Sequence, residues 1–243
     1  LWQGWQNARE SFIIRYQIND SLMPNDEKKC LFFGVCSSYV YESIEIARRA
    51  GITVAGYIHN QSDQPAPGDL SPVYLPDHLE HCDHALPVII PLITPGYRKK
   101  VVEELHVLGF GVQGDLIDPT AILAGTVTWQ EGFQVNAGVV IGVRCRFGRQ
   151  VLINRSVSIG HDVITGDFVT FGPAAVVCGT CTIGPGTFIG TNATILPKVN
   201  IGSNTIIAGG AVILKDVPDR VMVAGNPAKI IKTDIHGYNN CPV

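Results

Sequence analysis

The sequence predicts two units in one chain: a small α/β domain, then an all-β rod in which the chain winds as a parallel β-helix. Three observations predict it. Short apolar runs alternate with helical periodicity over residues 29–116, the pattern changes at about residue 119, and the sequence from 122 onward repeats in sixes. The bulk numbers fit an ordinary globular chain. Hydrophobic residues make up 46% and charged residues 16%, which excludes a disordered chain. A net charge of −3 gives no footprint for nucleic acid or an anionic membrane. No apolar run reaches the roughly 18–20 residues of a spanning helix. The chain begins at Leu1 with no visible signal pattern, as a trimmed chain or a fragment would. Seven cysteines without framework spacing point to a reduced, cytoplasmic protein.

Residues 1–28 read as an extension, with an apolar segment at 12–18 and a polar linker from 19 to 29. CLFFGV (30–35) is a buried strand by its length and apolarity. ESIEIARRAG (42–51) has helical periodicity with Gly51 as its stop, and ITVAGYI (52–58) is a second strand. A Pro/Gly/Asp loop covers 59–72, PVII (87–90) is a third strand, and 96–110 a second helix. Strands alternating with helices make a small parallel sheet, a half-Rossmann domain over 29–116.

From 122 to 217 the register holds for 16 hexads without insertion; the second position is apolar in all but Thr165, and the third is Gly in eight. The sixth position is mostly Val, Ala, Cys or Thr. Positions six and two are two residues apart, so both point to one face of a short strand. The Gly, Asn or Ala that follows is expected to turn the corner. Each hexad is one flat side, three sides close a coil of 18 residues, and coils stack at strand spacing, about 4.8 Å. The rod is assigned to 117–231, with a tail over 232–243.

SIGHDV (158–163) holds the only histidine between residues 107 and 235. His161 falls at position four, on a corner pointing outward, with Asp162 after it. One coil away lie Val143 and Gly179. A glycine beside a corner histidine leaves a backbone N–H and room for a ligand. An imidazole suits proton removal at neutral pH, a neighbouring carboxylate stabilises the imidazolium, and a corner N–H suits an oxyanion. Cys178 and Cys181 form a CxxC inside the repeat and read as small core residues, like Cys145; Cys178 beside Gly179 leaves a covalent route open. His78, His81, Cys82 and His84 lie within DHLEHCDHAL (77–86), read as a polar connection, with a helical metal site as the competing reading.

IDPTAIL (117–123), LINRSVSIGHDVITGDFV (152–169), FIGTNATILPKVNIGSNTIIAGGAVILKDVP (188–218) and VAGNPAKIIK (223–232) resemble the hexapeptide-repeat acyltransferases, whose rods are left-handed β-helices. The similarity is to the branch of sugar acetyltransferases carrying an N-terminal nucleotide-binding domain, as in the bacillosamine and sialic acid pathways. The resemblance implies a homotrimer, acetyl-CoA as co-substrate between adjacent rods, no metal, and a small sugar acceptor on the N-terminal domain. It implies that His161 is the catalytic base, Asp162 its acidic partner and Gly179 the oxyanion donor. Thr191, Ala208 and Gly209 fall where the family contacts CoA, and Thr170 where a second histidine often touches the acetyl group. Asn154 matches an asparagine near the acceptor.

The acceptor half departs from the pattern. The family's Gly-rich loop ending in histidine reads GVCSSY here: Gly34 stays, Cys36 and Ser37 replace glycines, and Ser38 stands for the histidine. Acidic residues after the second strand become His59 and Asn60, and a glycine after the third becomes Ile93. Fewer glycines mean less close backbone approach to a phosphate, so binding of UDP is expected to be weak or rebuilt. The activity expected is acetylation of a sugar amine or hydroxyl, with a nucleotide-linked 4-amino sugar as first acceptor. O-acetylation of a free sugar or sialic acid, and an inactive trimeric scaffold, are the alternatives.

Overall fold

The computed structural model describes residues 28–61 and 68–243. The N-terminal extension and part of the 59–72 loop lie outside them. The first domain runs β1 (Lys29–Phe33), α1 (Tyr39–Arg49), β2 (Thr53–Ile58), β3 (Val73–Tyr74), β4 (Val88–Ile89) and α2 (Pro95–Val107). Its sheet is parallel throughout in the order β3-β2-β1-β4. Leu31 and Phe33 pack toward α2, while Cys30 and Phe32 pack toward α1, as alternation along a strand covered on both faces requires. The sequence pattern did not resolve β3. Residues 77–86 form turns rather than a helix.

Beyond Ile117 the chain winds through three parallel sheets. The first face stacks Leu116–Ile117, Gln134–Val135, Leu152–Ile153, Thr170–Phe171, Phe188–Ile189 and Ile206–Ile207. The second runs from Ile122–Leu123 to Val212–Ile213, and the third from Thr128–Trp129 to Asn200–Ile201. Partners are 18 residues apart, as in Ser158 with Val140 and Val176. Second-position residues from Trp129 to Ile213 and sixth-position residues from Val127 to Val217 are all buried. Thr165, the exception in the pattern, accepts the Gly148 N–H through its hydroxyl. The last coil is two residues short: Ile206 pairs with Met222, and an antiparallel hairpin, Met222–Gly225 with Ala228–Lys232, closes the rod.

The corners differ from the expectation. The left-handed residue is at position five, not three: every fifth-position residue from Gly132 to Gly210 has positive φ, including Arg144, Gln150, Asp162 and Lys198. The third-position glycines serve stacking. A Cβ at Gly142 would lie 2.8 Å from the Gly160 carbonyl carbon, and one at Gly172 would lie 2.8 Å from the Thr191 nitrogen. Coils at strand spacing leave no room there for a side chain.

The first domain sits on the first face of the rod. Gln134 Nε2 donates to the Ile90 carbonyl (2.9 Å), and the Tyr39 hydroxyl donates to Asn136 Oδ1 (2.7 Å). Arg49 of α1 pairs with the buried Asp118 carboxylate. Arg98 of α2 is wholly buried. Its guanidinium donates to the carbonyls of Leu92, Ile93, Gln150, Phe168 and Val169 and to the Thr170 hydroxyl, at 2.8–3.2 Å. Burial pushes its pKa down to about 9, so it stays charged at neutral pH. The charge is held by aligned carbonyls rather than by a carboxylate.

Candidate active site

His161 lies on the corner between the second and third faces, opposite the face the first domain covers. Asp162 occupies the left-handed corner position (φ 57°), a conformation short polar residues tolerate. There its carboxylate Oδ2 meets His161 Nδ1 at 2.7 Å. The same carboxylate accepts from Nε and Nη2 of Arg144, one coil below, at 2.7 Å each. The Arg144 guanidinium, and then the His161 imidazole, hold the Asp162 carboxyl well below the usual carboxylate range. The His161 side chain is 60% exposed. Its ring lies over Gly179: a Cβ there would stand 2.6 Å from Nε2 and 2.7 Å from Cε1. The space expected above the histidine is therefore filled by its own ring, with Nε2 beside the Gly179 backbone. Among the described residues the Gly179 N–H has no hydrogen-bond acceptor.

The other expected site residues fall in three places. Thr191 and Gly209 are exposed on the corner between the first and second faces, with Ala208 beside them. A Cβ on Gly209 would meet the Thr191 carbonyl oxygen at 3.2 Å. Asn154 adjoins that corner, 5% exposed, its Oδ1 accepting from Asn136 Nδ2 and the Arg155 N–H. Thr170 stands apart from its expected role at the acetyl group. It is fully buried under the first domain, accepting from Arg98 and donating to the Ile93 carbonyl at 2.8 Å, so its hydroxyl is already committed.

Gly34, Cys36, Ser37 and Asn60 line one cavity of about 730 Å³ at the carboxyl ends of β1 and β2. Ser38 and His59 do not line it. Ser38 is exposed at the start of α1, and His59 is buried, its Nδ1 3.0 Å from Cys36 Sγ. Asn60 donates to Glu104 Oε2 at 2.8 Å. Elsewhere, His84 stacks on Phe110 and Cys82 packs against the first domain's core, while His78 and His81 are exposed. Among the described residues no three His, Cys, Asp or Glu side chains gather as metal ligands. Cys145 and Cys181 are buried, donating to the carbonyls of Gly160 and Leu196.

Between the two exposed corners runs the second face. Its outward row stacks Ile122, Val140, Ser158, Val176, Thr194 and Val212. Ile122 is 65% exposed, Val140 45% and Val176 38%.

The family model described as bacterial transferase hexapeptide (six repeats) matches residues 180–215. No curated protein matches the chain by sequence. Among solved structures, GDP-perosamine N-acetyltransferase of Caulobacter crescentus, in complex with CoA and GDP-perosamine, superposes with a TM-score of 0.75 at 29% identity, over 84% of this chain and 97% of that one. The acetyltransferase domain of PglB from Neisseria gonorrhoeae, in complex with acetyl coenzyme A, matches with a TM-score of 0.75 at 25% identity, over 85% of this chain and all of that one. WeeI of Acinetobacter baumannii shares the fold at 24% identity and a TM-score of 0.74, over 84% of this chain and 100% of that one. By its repeat, its fold and these similarities the chain is an acyl-CoA acyltransferase that is similar to the hexapeptide-repeat sugar acetyltransferases.

Proposed function

We propose that the chain transfers an acetyl group from acetyl-CoA to the amine of a sugar, with a nucleotide-linked 4-amino sugar as the first acceptor to test. The observation that carries this reading is the corner itself: His161 with Asp162 on Nδ1 and Gly179 beside Nε2. The acceptor amine attacks the thioester carbonyl carbon, forming the C–N bond. His161 Nε2 takes the amine's proton, and Asp162 stabilises the imidazolium. The Gly179 N–H donates to the oxyanion. Collapse breaks the C–S bond, and the departing thiolate takes the proton from His161. The products are the N-acetylated sugar and CoA, with no covalent enzyme intermediate. Arg144 fixes the Asp162 carboxylate and is a positioning residue for the base.

The same reading makes the protein a homotrimer. His161 and the acceptor cavity of one chain lie on opposite sides of the rod, so a sugar in a chain's own cavity does not face that chain's own base. Packing the apolar second face against a neighbour brings the His161 corner of one rod to the Thr191–Gly209 corner of the next. Acetyl-CoA fits the groove between them. The C. crescentus enzyme, solved with CoA and a GDP-sugar, supports both ligands. Acetylation of a hydroxyl on a free sugar is the second reading, favoured by the loop after β1, where Cys36 is engaged with His59 in place of a glycine run. No helix among the described residues is long and apolar enough to cross a membrane, and no disulfide forms among them, which suits a reducing cytoplasm. The test is release of CoA from acetyl-CoA with GDP-perosamine, a UDP-4-amino sugar and free sialic acid. Turnover with a 4-amino sugar supports the first reading and turnover with sialic acid alone the second. Acetyl-CoA that fails to bind leaves a scaffold.

A further inference from the structure

Beyond the closing hairpin the chain continues as TDIHGYNNCPV (233–243), and this tail returns along the rod to the first domain. The Ile235 N–H donates to the Arg220 carbonyl at 3.0 Å. The Tyr238 ring stacks on Phe188 of the first face, centroids 3.8 Å apart and 7° from parallel. Asn204 clasps the chain end, donating to the Val243 carbonyl (3.2 Å) and accepting the Val243 N–H (2.8 Å). Cys241 is buried against α2, where a Cβ on Gly96 would overlap the Cys241 carbonyl. Asn239 Nδ2 donates to the Thr94 hydroxyl at 3.0 Å, and that hydroxyl does not cap its own helix.

These contacts hold Tyr238 and Asn239 at the cavity that Gly34, Cys36 and Ser37 also line. We propose that Tyr238 and Asn239 are specificity-determining residues of the acceptor site, forming part of the wall of the cavity that the loop after β1 also lines. This rests on the reading of that cavity as the acceptor site. The wall brings an amide and an aromatic ring held on Phe188. The cavity also presents the Ser37 hydroxyl and the Asn60 amide, and among the described residues Lys100 and Glu104 are its charged side chains, Asn60 donating to Glu104. Amide and hydroxyl groups around an aromatic edge match a hydroxylated ring. Anchoring at both ends fixes the wall before the ligand arrives, so little ordering cost falls on binding.

The experiment compares wild type, Asn239→Ala, Tyr238→Ala and a chain lacking residues 237–243, with thermal unfolding as a control for folding. The first readout is steady-state kinetics with GDP-perosamine, or whichever acceptor the wild type turns over. The expected result is an acceptor KM raised at least about tenfold, with the KM for acetyl-CoA within twofold. An unchanged acceptor KM, or a rise confined to acetyl-CoA, overturns the proposal. The second readout needs no turnover: the rate of Cys36 alkylation by iodoacetamide, followed by peptide mass spectrometry. Removing the tail is expected to speed it at least about fivefold, and an unchanged rate overturns the wall. Faster labelling in a protein that acetylates no acceptor supports the wall and refutes the function reading, so the two failures are distinguishable. Asn239→Ala removes one hydrogen bond at the surface and keeps the test alive if the truncated chain does not fold.

Discussion

Replacing Gly179 with alanine adds one methyl group to a backbone that does not need positive φ. The new Cβ would stand 2.6 Å from His161 Nε2, whereas an ordinary contact begins near 3.4 Å. The imidazole must retreat by about 1 Å or turn off its bond to Asp162. A displacement of about 1 Å at a reacting group costs on the order of 10²-fold in rate, or about 2.7 kcal/mol of barrier. Stability should barely change, since the ring it displaces is exposed and Gly→Ala trims the entropy of the unfolded chain by about 0.4–1 kcal/mol. The assay is CoA release under kcat/KM conditions beside a thermal melt. The expected result is a loss of about 100-fold with an unaltered melting temperature. Activity within threefold of wild type would refute the placement of His161 over Gly179 as the working geometry.

Arg144→Gln, which frees Asp162 from its guanidinium, is expected to lower kcat by about tenfold with the acceptor KM unchanged, measured by CoA release. The folded-state carboxyl of Asp162 is depressed, so its pairing stabilises the protein fully above the unfolded carboxylate range, near pH 4, and that contribution fades as pH falls toward the depressed value. The melting temperatures of wild type and Arg144→Gln should therefore differ by a constant amount above pH 5 and converge below about pH 4. Arg98→Met strips donors from buried carbonyls and is expected to cost about 3 kcal/mol or more in urea unfolding. On the proposed trimeric arrangement, oligomers mixed from His161→Ala and Ser37→Trp chains should regain activity that neither variant has alone; no recovery would mean that base and acceptor cavity work within one chain.

The rod was legible because burial there is periodic: an aliphatic residue every sixth place and a small one four places later can be counted, and nearly all are buried. Position five was only partly legible. Gly, Asn or Asp, which favour a left-handed backbone, stand at 7 of the 14 fifth positions from Gly132 to Gly210, but Arg144, Gln150, Phe168 and Lys198 share no such preference and adopt it all the same. Arg144 had a signal in the sequence, since it lies one coil before Asp162, as Arg149 lies one coil before Asp167. An 18-residue spacing means in this rod what a spacing of four means on a helix. The expectation for Thr170 came from the family resemblance, matched through the repeat, which carries no information about which face the first domain covers. Arg98 and the tail were hidden for the same reason: their partners are set by how the two units dock.

The central claim is that His161 is the base of acetyl transfer. The most direct measurement is the rate of CoA release from acetyl-CoA with the preferred acceptor, wild type against His161→Ala, both shown to bind acetyl-CoA equally. A loss of about 10²-fold or more in kcat is expected. Equal rates in the two proteins would contradict the account.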